Sequence, residues 1–283
     1  RRTLTDVTTM TTVQELLRLN HGGVSRSEAR LLLAHRLGVR PEALIMHPEK
    51  TVENACVLAF CQDLEKAEAG YPIPYLTGLQ AFWSRDFVVT PAVLIPRPDT
   101  ETLVEAALHT IADKALTVLE LGTGSGCIAV TLALEKPKTT VVATDISEEA
   151  LTVARENARR LQADNLTFRA GEWFGAVEPD EKFDLIVSNP PYIAEGDCHL
   201  PALRWEPVTA LTAGVDGLDD IRRIAAEALF HLRDNGVLAF EHGYDQGAAV
   251  RNILQQLGYR SVVTLRDLGG NDRVTQGFAP NIA

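Results

Sequence analysis

The pattern of apolar and polar residues changes after residue 97 of this chain of 283 residues. From residue 98 onward, apolar segments of strand length alternate with amphipathic segments of helix length. The series runs LTVLEL, CIAVTLALEK, TTVVATD, EEALTVARENARRL, LTFRA, FDLIVS, DDIRRIAAEALFHL, GVLAFEHG, GAAVRNILQQLG and SVVTLRD. Apolar strands separated by amphipathic helices are typical of a parallel sheet covered by helices on both faces. The pattern therefore predicts a doubly wound α/β domain.

The last two predicted strands have no helix between them. They are YRSVVTLRD and DRVTQGFA, and only the short segment LGGN separates them. A parallel connection needs a crossover of a dozen or more residues, so this short connection requires an antiparallel pair. We expect that pair at the edge of the sheet.

Residues 1–69 have helical periodicity and predict a small helical domain. Three segments carry it, TVQELLRL, SRSEARLLLAHRLG and TVENACVLAFCQDLEKAEAG. Ser25 precedes Glu28 by three residues, the spacing of a capping box, and Gly38 follows where a helix would end. Residues 70–97 are rich in proline and contain the stretch FWSRDFVVTPAVLIP, which predicts a linker with a β-hairpin. Residues 98–283 then form the main domain.

Composition narrows the class of protein. The chain is 46% hydrophobic, which is enough for a globular core, and its formal net charge is −11. That charge has the wrong sign for holding a nucleic-acid backbone, so no direct nucleic-acid partner is expected. The four cysteines form no CxxC pair and no zinc-like cluster with histidine, which predicts reduced thiols and no metal.

No segment resembles a membrane or export signal. The first ten residues, RRTLTDVTTM, are too polar for a signal peptide. No stretch approaches the roughly 18 apolar residues of a membrane span. We expect a soluble, cytoplasmic protein without membrane contact.

A glycine-rich loop follows the first strand of the main domain. It consists of Gly122, Thr123, Gly124, Ser125 and Gly126. Glycines let the backbone turn sharply and approach a ligand, while the following helix presents free N–H groups. The loop predicts a nucleotide-like ligand. A dinucleotide-binding fingerprint would have a third glycine at residue 127, which is cysteine here, and a purely structural turn stays an alternative.

An acidic residue ends the second strand, VVATD. Asp145 lies 23 residues after Gly122, where a carboxylate accepts hydrogen bonds from both hydroxyls of an adenosine ribose. Enzymes that bind NAD and enzymes that bind S-adenosylmethionine share this feature, so the spacing does not choose between them. The alternative is that Asp145 caps the helix that begins at SEEA.

The segment FDLIVSNPPYI ends a buried strand in residues that cannot continue it. Pro190 and Pro191 fix φ and donate no N–H group. Ligands of open α/β sheets bind beyond the carboxyl ends of the strands. There the Asn189 side-chain oxygen and the Pro190 carbonyl would accept from a planar –NH2 group, and the ring of Tyr192 would pack on it.

This arrangement also suits methyl transfer to the nitrogen of an amide or of an exocyclic base amine. The nitrogen is a poor nucleophile because its lone pair is delocalised, and attack makes it positive. Two acceptors on its N–H bonds orient the lone pair and stabilise the developing charge, without a strong base. We therefore predict Asn189, Pro190 and Tyr192 as catalytic residues, and these three with Pro191 as the substrate site. The alternative is a proline turn with a structurally bonded asparagine.

Several motifs together resemble one family. They are YLTG at 75–78, FW at 82–83, LIPRPDTE at 94–101, ELGTGSG at 120–126, SNPPYI at 188–193, WEPVTAL at 205–211, EHG at 241–243 and DRVTQG at 272–277. The glycine loop and Asn-Pro-Pro-Tyr are similar to those of class I S-adenosylmethionine-dependent methyltransferases. The whole set resembles the HemK/PrmC family of release factor glutamine methyltransferases, over nearly the whole chain.

The resemblance implies a fold, a reaction and a partner. It implies a Rossmann-like, mostly parallel sheet of seven strands, a connecting hairpin, and a helical N-terminal domain that recognises the substrate. The reaction would transfer a methyl group from S-adenosylmethionine to N5 of the glutamine in the Gly-Gly-Gln motif of class 1 peptide chain release factors, leaving S-adenosylhomocysteine. We expect no metal and a monomer.

The resemblance also implies site residues. The loop from Gly122 to Gly126, Asp145 and Trp173 would line the cofactor site, with Asn189 at its edge, and the segment from Asn189 to Tyr192 would hold the glutamine. The alternatives are a DNA adenine N6-methyltransferase, an NAD-dependent dehydrogenase and a non-catalytic cofactor-binding protein. The sequence leaves open the roles of Arg97, Glu101, Glu120 and His242.

Overall fold

The computed structural model describes residues 11–19 and 22–280. The chain divides into two compact units, one ending at Leu79 and the other beginning at Gln80. Residues 70–97, predicted as a linker, therefore contribute to both units. No helix within the described ranges is long and apolar enough to cross a membrane.

The first unit is mainly helical. Its elements are β1 (Thr11–Thr12), α1 (Val13–Leu17), α2 (Arg26–Leu37), α3 (Pro41–Met46), β2 (Thr51–Val52), α4 (Asn54–Glu68) and α5 (Ile73–Thr77). The predicted capping box of α2 is confirmed, because Ser25 Oγ accepts from Glu28 N at 3.2 Å and Glu28 Oε2 accepts from Ser25 N at 2.7 Å. Gly38 ends α2 in the left-handed conformation, with φ 64°.

A small hairpin spans the division between the units. Its strands are β3 (Leu79–Phe82) and β4 (Arg85–Val88). The turn residues Trp83 and Ser84 have φ of 49° and 56°, and Trp83 N donates to Glu101 Oε1 at 2.8 Å. The alternating pattern of the predicted hairpin extends to Pro96, but β4 ends at Val88. The Asn157 side chain accepts from Val88 N at 2.7 Å and donates to Val88 O at 3.0 Å, which ends the strand there.

The second unit contains a sheet and five helices among its described residues. Its strands are β5 (Thr117–Leu121), β6 (Thr140–Asp145), β7 (Leu166–Ala170), β8 (Phe183–Ser188), β9 (Leu232–Glu241), β10 (Arg260–Arg266) and β11 (Asp272–Phe278). Its helices are α6 (Glu101–Ile111), α7 (Cys127–Glu135), α8 (Glu148–Leu161), α9 (Asp219–Ala228) and α10 (Gly247–Gln256).

The seven described strands of this unit form one sheet in the order β10-β11-β9-β8-β5-β6-β7. The pairs from β9 to β7 are parallel, whereas β11 pairs antiparallel with both β9 and β10. The predicted α/β fold with a mostly parallel sheet is confirmed, and so is the antiparallel pair at its edge.

The sheet is buried on both faces. Along β5, Val118 packs with α6 and α7 on one face, and Leu119 packs with α9 and α10 on the other. The chain passes from β5 to β6 on one side and later returns to β8 on the other side of β5. Such a reversal opens a crevice at the carboxyl ends of the strands, where α/β proteins bind ligands.

Candidate active site

The glycine loop connects β5 to α7 and folds back onto β6. Gly122 N and Thr123 N both donate to Thr144 O at 2.9 Å, and Gly124 N donates to Asp145 Oδ2 at 2.8 Å. These bonds place the loop beside the carboxyl end of β6. The predicted loop and Asp145 therefore lie together.

Two glycines of this loop are required by geometry. Gly122 has φ 74°, and a Cβ there would lie 3.3 Å from the Trp173 ring. Gly126, with φ 80°, precedes α7, and a Cβ there would lie 3.0 Å from Ala154 Cβ and 3.2 Å from its Cα. A side chain at either position would be strained in conformation and crowded. The loop therefore depends on glycine for its shape.

Asp145 is bonded to the loop and does not cap α8. Its Oδ1 accepts from Ser147 N at 2.9 Å, while the cap of α8 is Ser147, whose Oγ accepts from Ala150 N at 3.1 Å. The helix-cap alternative for Asp145 is therefore wrong. The carboxylate lines the cavity described below.

Glu120 is a buried carboxyl at the end of β5. Its Oε2 accepts from Thr123 Oγ1 at 2.6 Å and from Ala129 N at 3.0 Å. Its Oε1 has no hydrogen-bond partner among the residues that the structure describes. Burial raises the pKa of Glu120 to about 8, because a low-dielectric environment disfavours the charged form. Glu120 is thus a buried carboxyl with one oxygen that has no partner within the described residues, and it is one of the residues that line the cavity described below.

A cavity of about 430 Å³ lies at this end of the sheet. That volume falls within the roughly 300–1,000 Å³ of ligand pockets. Of the predicted residues, eight line it: Gly122, Thr123, Gly124, Ser125, Asp145, Trp173, Asn189 and Pro191. The cavity thus joins the predicted cofactor residues to the predicted substrate shelf.

The shelf, Asn189 to Tyr192, follows β8 directly. Ser188 Oγ donates to Leu121 O at 2.7 Å, which fixes the end of β8 beside the end of β5. Asn189 Nδ2 donates to Thr100 Oγ1 at 3.4 Å. The Tyr192 hydroxyl donates to Glu241 Oε1 at 3.2 Å, and Tyr192 does not line the cavity.

Three predicted residues do not line the cavity: Gly126, Pro190 and Tyr192. Gly126 is the N-cap of α7, Pro190 is buried, and Tyr192 contacts Glu241. The ring-stacking role of Tyr192 stays a prediction. The predicted role of Pro190 depends on its backbone carbonyl and not on its side chain.

The structure adds residues that motif reasoning did not assign. The additional lining residues include Ala92, Val93, Leu94, Ile95, Pro96, Pro207, Val208, Thr209, Ala210, Ile146 and Asp220. Two groups of these residues belong to the motifs LIPRP and WEPVTAL. The sequence analysis named those motifs but did not assign them to the cavity. For Ile146 the sequence cue was its position as an apolar residue directly after Asp145. In the structure it is 67% exposed.

The residues with open roles lie in distinct places. Arg97 lines the cavity and pairs with the buried Glu206. Glu101 binds the hairpin turn at Trp83 N. His242 is buried, and its Nε2 lies 2.8 Å from Thr275 Oγ1, so it is a structural residue of the sheet edge.

A cluster of potential metal ligands lies outside the cavity. Asp197, Cys198 and His199 follow the shelf in the chain, and their ligand atoms lie within 4.8 Å of one another. None of the three lines the cavity. The expectation that the reaction uses no metal stays a prediction.

Two protein-family models match this chain, one in each of the two units of its fold. A family model described as a methyltransferase domain matches residues 112–267, which is more than half of the chain. A second model, described as the PrmC N-terminal domain, matches residues 10–78.

Solved structures support the fold at low sequence identity. A methyltransferase from Pyrococcus furiosus is 22% identical, with a TM-score of 0.54 over 77% of this chain and 98% of its own. The Thermus thermophilus 16S rRNA methyltransferase RsmC, solved with AdoMet and guanosine, has a TM-score of 0.53 at 17% identity over 71% of this chain and 49% of its own. Both likenesses concern the fold alone.

Curated relatives are much closer in sequence. Release factor glutamine methyltransferase from Pseudomonas aeruginosa is 47% identical over 273 residues, covering 95% of this chain and 99% of the relative. Its counterparts from Vibrio cholerae and Bordetella pertussis are 47% and 46% identical, over 88% and 95% of this chain and 88% and 100% of their own. This chain belongs to the family of release factor glutamine methyltransferases.

Proposed function

We propose that this protein transfers a methyl group from S-adenosylmethionine to N5 of the glutamine in the Gly-Gly-Gln motif of class 1 peptide chain release factors. The family membership supports the reaction class. The observation that carries the proposal is the cavity, which the glycine loop and Asp145 border with Asn189 and Pro191. A bound methyl donor and an incoming amide would meet there.

The cavity fits the cofactor chemically. S-adenosylmethionine supplies an electrophilic methyl group on a sulfonium, and it also carries a ribose diol and a cationic amino group. Asp145 has the acceptor oxygens that the diol needs. Glu120 Oε1, buried and without a partner within the described part of the chain, suits the amino group. Trp173, against Gly122, offers an apolar ring beside the loop.

The shelf residues would act on the target amide. The Asn189 oxygen and the Pro190 carbonyl accept from its two N–H bonds, which aims the nitrogen lone pair at the methyl group. As the nitrogen becomes positive, these acceptors stabilise it more strongly than they stabilise the neutral amide, and this difference lowers the barrier. The methylated nitrogen is then acidic enough to release a proton without a dedicated base.

The competing substrate is an adenine base in DNA, which also presents a planar –NH2 group. A protein that holds DNA needs a basic surface, and the net charge of −11 opposes one. The test incubates the protein and labelled S-adenosylmethionine with three substrates in separate samples. These are a release factor, the same factor with its Gly-Gly-Gln glutamine changed to alanine, and duplex DNA. Label should appear in the unchanged release factor only, and label in DNA would overturn the proposal.

The Asp145→Ala variant should bind S-adenosylmethionine more weakly by about one to two orders of magnitude. A hydrogen bond to a charged group contributes roughly 1.5–3 kcal/mol, and this carboxylate also holds Gly124 N. Titration calorimetry measures the affinity. Exposed Glu149 at the start of α8 gives a control, Glu149→Gln. Unchanged affinity in a folded Asp145→Ala protein would show that the ribose does not bind at Asp145.

We also propose that the helical first unit binds the release factor. A glutamine side chain offers far less surface than the roughly 800 Å² per partner of a specific protein interface. Deletion of residues 1–78 should therefore raise KM for release factor at least about tenfold while cofactor affinity stays the same. Steady-state kinetics and calorimetry on the folded fragment decide this. An unchanged KM would assign substrate recognition to the second unit.

A further inference from the structure

Arg97 is the only cationic side chain among the described residues that line the cavity. The other titratable side chains in the wall are one thiol and four carboxyls: Cys127, Glu120, Asp145, Glu172 and Asp220. Two of the carboxyls are proposed above to bind the cofactor. A cation is unsuited to the sulfonium or the amino group of that cofactor, because like charges repel.

A buried carboxylate holds Arg97 in place. The Glu206 side chain is 3% exposed, and its Oε1 accepts from Arg97 Nη2. Its Oε2 accepts at 3.0 Å from Ile95 N, which lies two residues before Arg97 in the same segment. One carboxylate therefore fixes both the backbone of this segment and the head group of its arginine. The guanidinium is ordered before any ligand binds, and the charge of Glu206 offsets its own.

Most of the guanidinium remains available for a ligand. An arginine has five N–H donors in a planar array. Among residues 11–19 and 22–280, the Arg97 side chain has no hydrogen-bond partner besides Glu206. The Arg97 side chain is also 38% exposed, although its partner is buried. Arg97 thus contributes an ordered group of donors to the cavity wall, and the protein itself uses only part of it.

Arg97 lies on the substrate side of the cavity. Arg97 O accepts from Thr100 N at 3.1 Å, which closes a turn directly before α6. The Cα atoms at the two ends of such a turn lie less than about 7 Å apart. Thr100 Oγ1 is itself 3.4 Å from Asn189 Nδ2, and Asn189 is proposed to bind the target amide. Arg97 is therefore close to the shelf, where the chain that carries the target glutamine has to pass.

The proposed substrate brings backbone carbonyls to this place. The two glycines of Gly-Gly-Gln have no side chains, so only their backbone groups can be recognised. A carbonyl that enters a cavity loses its water and needs a new donor. Pro96, Pro191 and Pro207 line this cavity, and a proline has no N–H to offer. The unpaired donors of Arg97 can satisfy such carbonyls.

The carbonyl of the target amide itself is a poor partner for Arg97. A charged donor on that oxygen draws the nitrogen lone pair toward the carbonyl, which makes the nitrogen a weaker nucleophile. A glycine carbonyl is not conjugated with the reacting nitrogen, so a donor there has no such effect. The carboxylate of the cofactor is the other candidate, but Glu206 already supplies this guanidinium with a carboxylate. The same pairing also weakens the repulsion between Arg97 and the positive charge of the reacting groups.

We propose that Arg97 binds the backbone carbonyls of the glycines next to the target glutamine, and that Glu206 is the positioning residue that holds the guanidinium for them. The proposal rests on the proposed function, because only a Gly-Gly-Gln substrate brings those carbonyls to this wall. Neither residue takes part in forming or breaking a bond. Arg97 therefore affects KM for release factor much more than kcat.

The test is the steady-state KM for release factor at saturating S-adenosylmethionine. Arg97→Met removes the donors, and should raise this KM about tenfold or more with kcat within about twofold. That variant leaves Glu206 buried and unpaired, which destabilises the protein. The double variant Arg97→Met/Glu206→Gln removes the unpaired charge and keeps an acceptor for Ile95 N, so it should regain stability but not KM. An exposed ion pair on α8 gives the matched control, Arg159→Met/Glu156→Gln.

Denaturant unfolding measures stability, and titration calorimetry measures cofactor affinity. A structural ion pair alone would let the double variant recover KM together with stability, and that result would overturn the proposal. Loss of cofactor affinity in the double variant, but not in the control, would place Arg97 on the cofactor carboxylate and also overturn it. Glu206→Gln leaves the donors but loosens them, and should raise KM less than the loss of Arg97 does. An unchanged KM there would overturn the positioning role.

Failure of the proposed function gives a different result. Wild-type protein would then leave release factor unmethylated, and both proposals would fall together. Wild-type protein that methylates release factor, with a KM that the double variant shares, would overturn only the role of Arg97.

Discussion

Replacement of Asn189 by alanine should lower the rate of methyl transfer by about 10² or more at saturating cofactor. Asn189 lines the cavity at the end of β8, and its Nδ2 is held by Thr100 at 3.4 Å. In the proposed mechanism the variant loses the acceptor that meets positive charge on the substrate nitrogen. Because that charge appears only in the transition state, the effect belongs to kcat.

Single-turnover methylation of release factor measures this effect directly. Asn189→Asp keeps an acceptor oxygen and should retain more activity than Asn189→Ala. The control is Asn252→Ala, an exposed position on α10. Cofactor affinity should change less than the rate does. A rate for Asn189→Ala near that of the control would make the shelf structural and place the chemistry elsewhere.

The shared position of the candidate site residues could be predicted from local sequence because each group belongs to one strand end. Residue type and position in the sequence identify these groups, which are the glycines that follow β5, Asp145 at the end of β6 and Asn189 after β8. Parallel strands then bring their carboxyl ends to one edge. The fold could be predicted from local sequence too, since apolar residues recur about every two residues in strands and every 3.6 residues in helices.

The rest of the cavity wall could not be predicted this way. Pro96 and Pro207 both line the cavity, but they lie far apart in sequence, and no periodicity relates one segment to the other. Only tertiary packing brings them together, as in the pairing of Arg97 with Glu206. The orientation of Tyr192 toward Glu241 depends equally on the pairing of β8 with β9.

Short elements were also outside the reach of sequence patterns. The helices α3 and α5 are six and five residues long, too short to show a helical period. The apolar alternation of the predicted hairpin continues through Pro91 to Pro96, beyond the end of β4 at Val88. The alternation instead reflects side chains that turn inward, with Val93 and Ile95 buried and both lining the cavity.

Glu120 should make the protein less stable as the pH rises. Burial raises its pKa from 4.5 to about 8 in the folded protein. A group with a raised folded pKa contributes fully below the unfolded pKa, and that stability is lost as the pH rises through the folded pKa. For Glu120 the window runs from about 4.5 to about 8, and the loss is at most on the order of 5 kcal/mol.

The Glu120→Gln variant should therefore be more stable than the wild type at pH 8.5, by a few kcal/mol, and nearly equal to it at pH 5. The new amide oxygen can still accept from Thr123 and Ala129, so local packing survives. Denaturant unfolding without cofactor, followed across this range, measures the difference, with exposed Glu149→Gln as control.

The same substitution should weaken S-adenosylmethionine binding about tenfold or more. The atom that lacks a partner in the described structure, Glu120 Oε1, is the one proposed above to accept from the cofactor's cationic amino group, and the variant replaces one of the two carboxyl oxygens with an –NH2 group that cannot accept. Two opposite changes are thus expected from one residue, higher stability without the cofactor and lower affinity for it. A stability difference that does not vary with pH would show that Glu120 has the same pKa in the folded and unfolded protein, and an unchanged affinity would show that the amino group binds elsewhere.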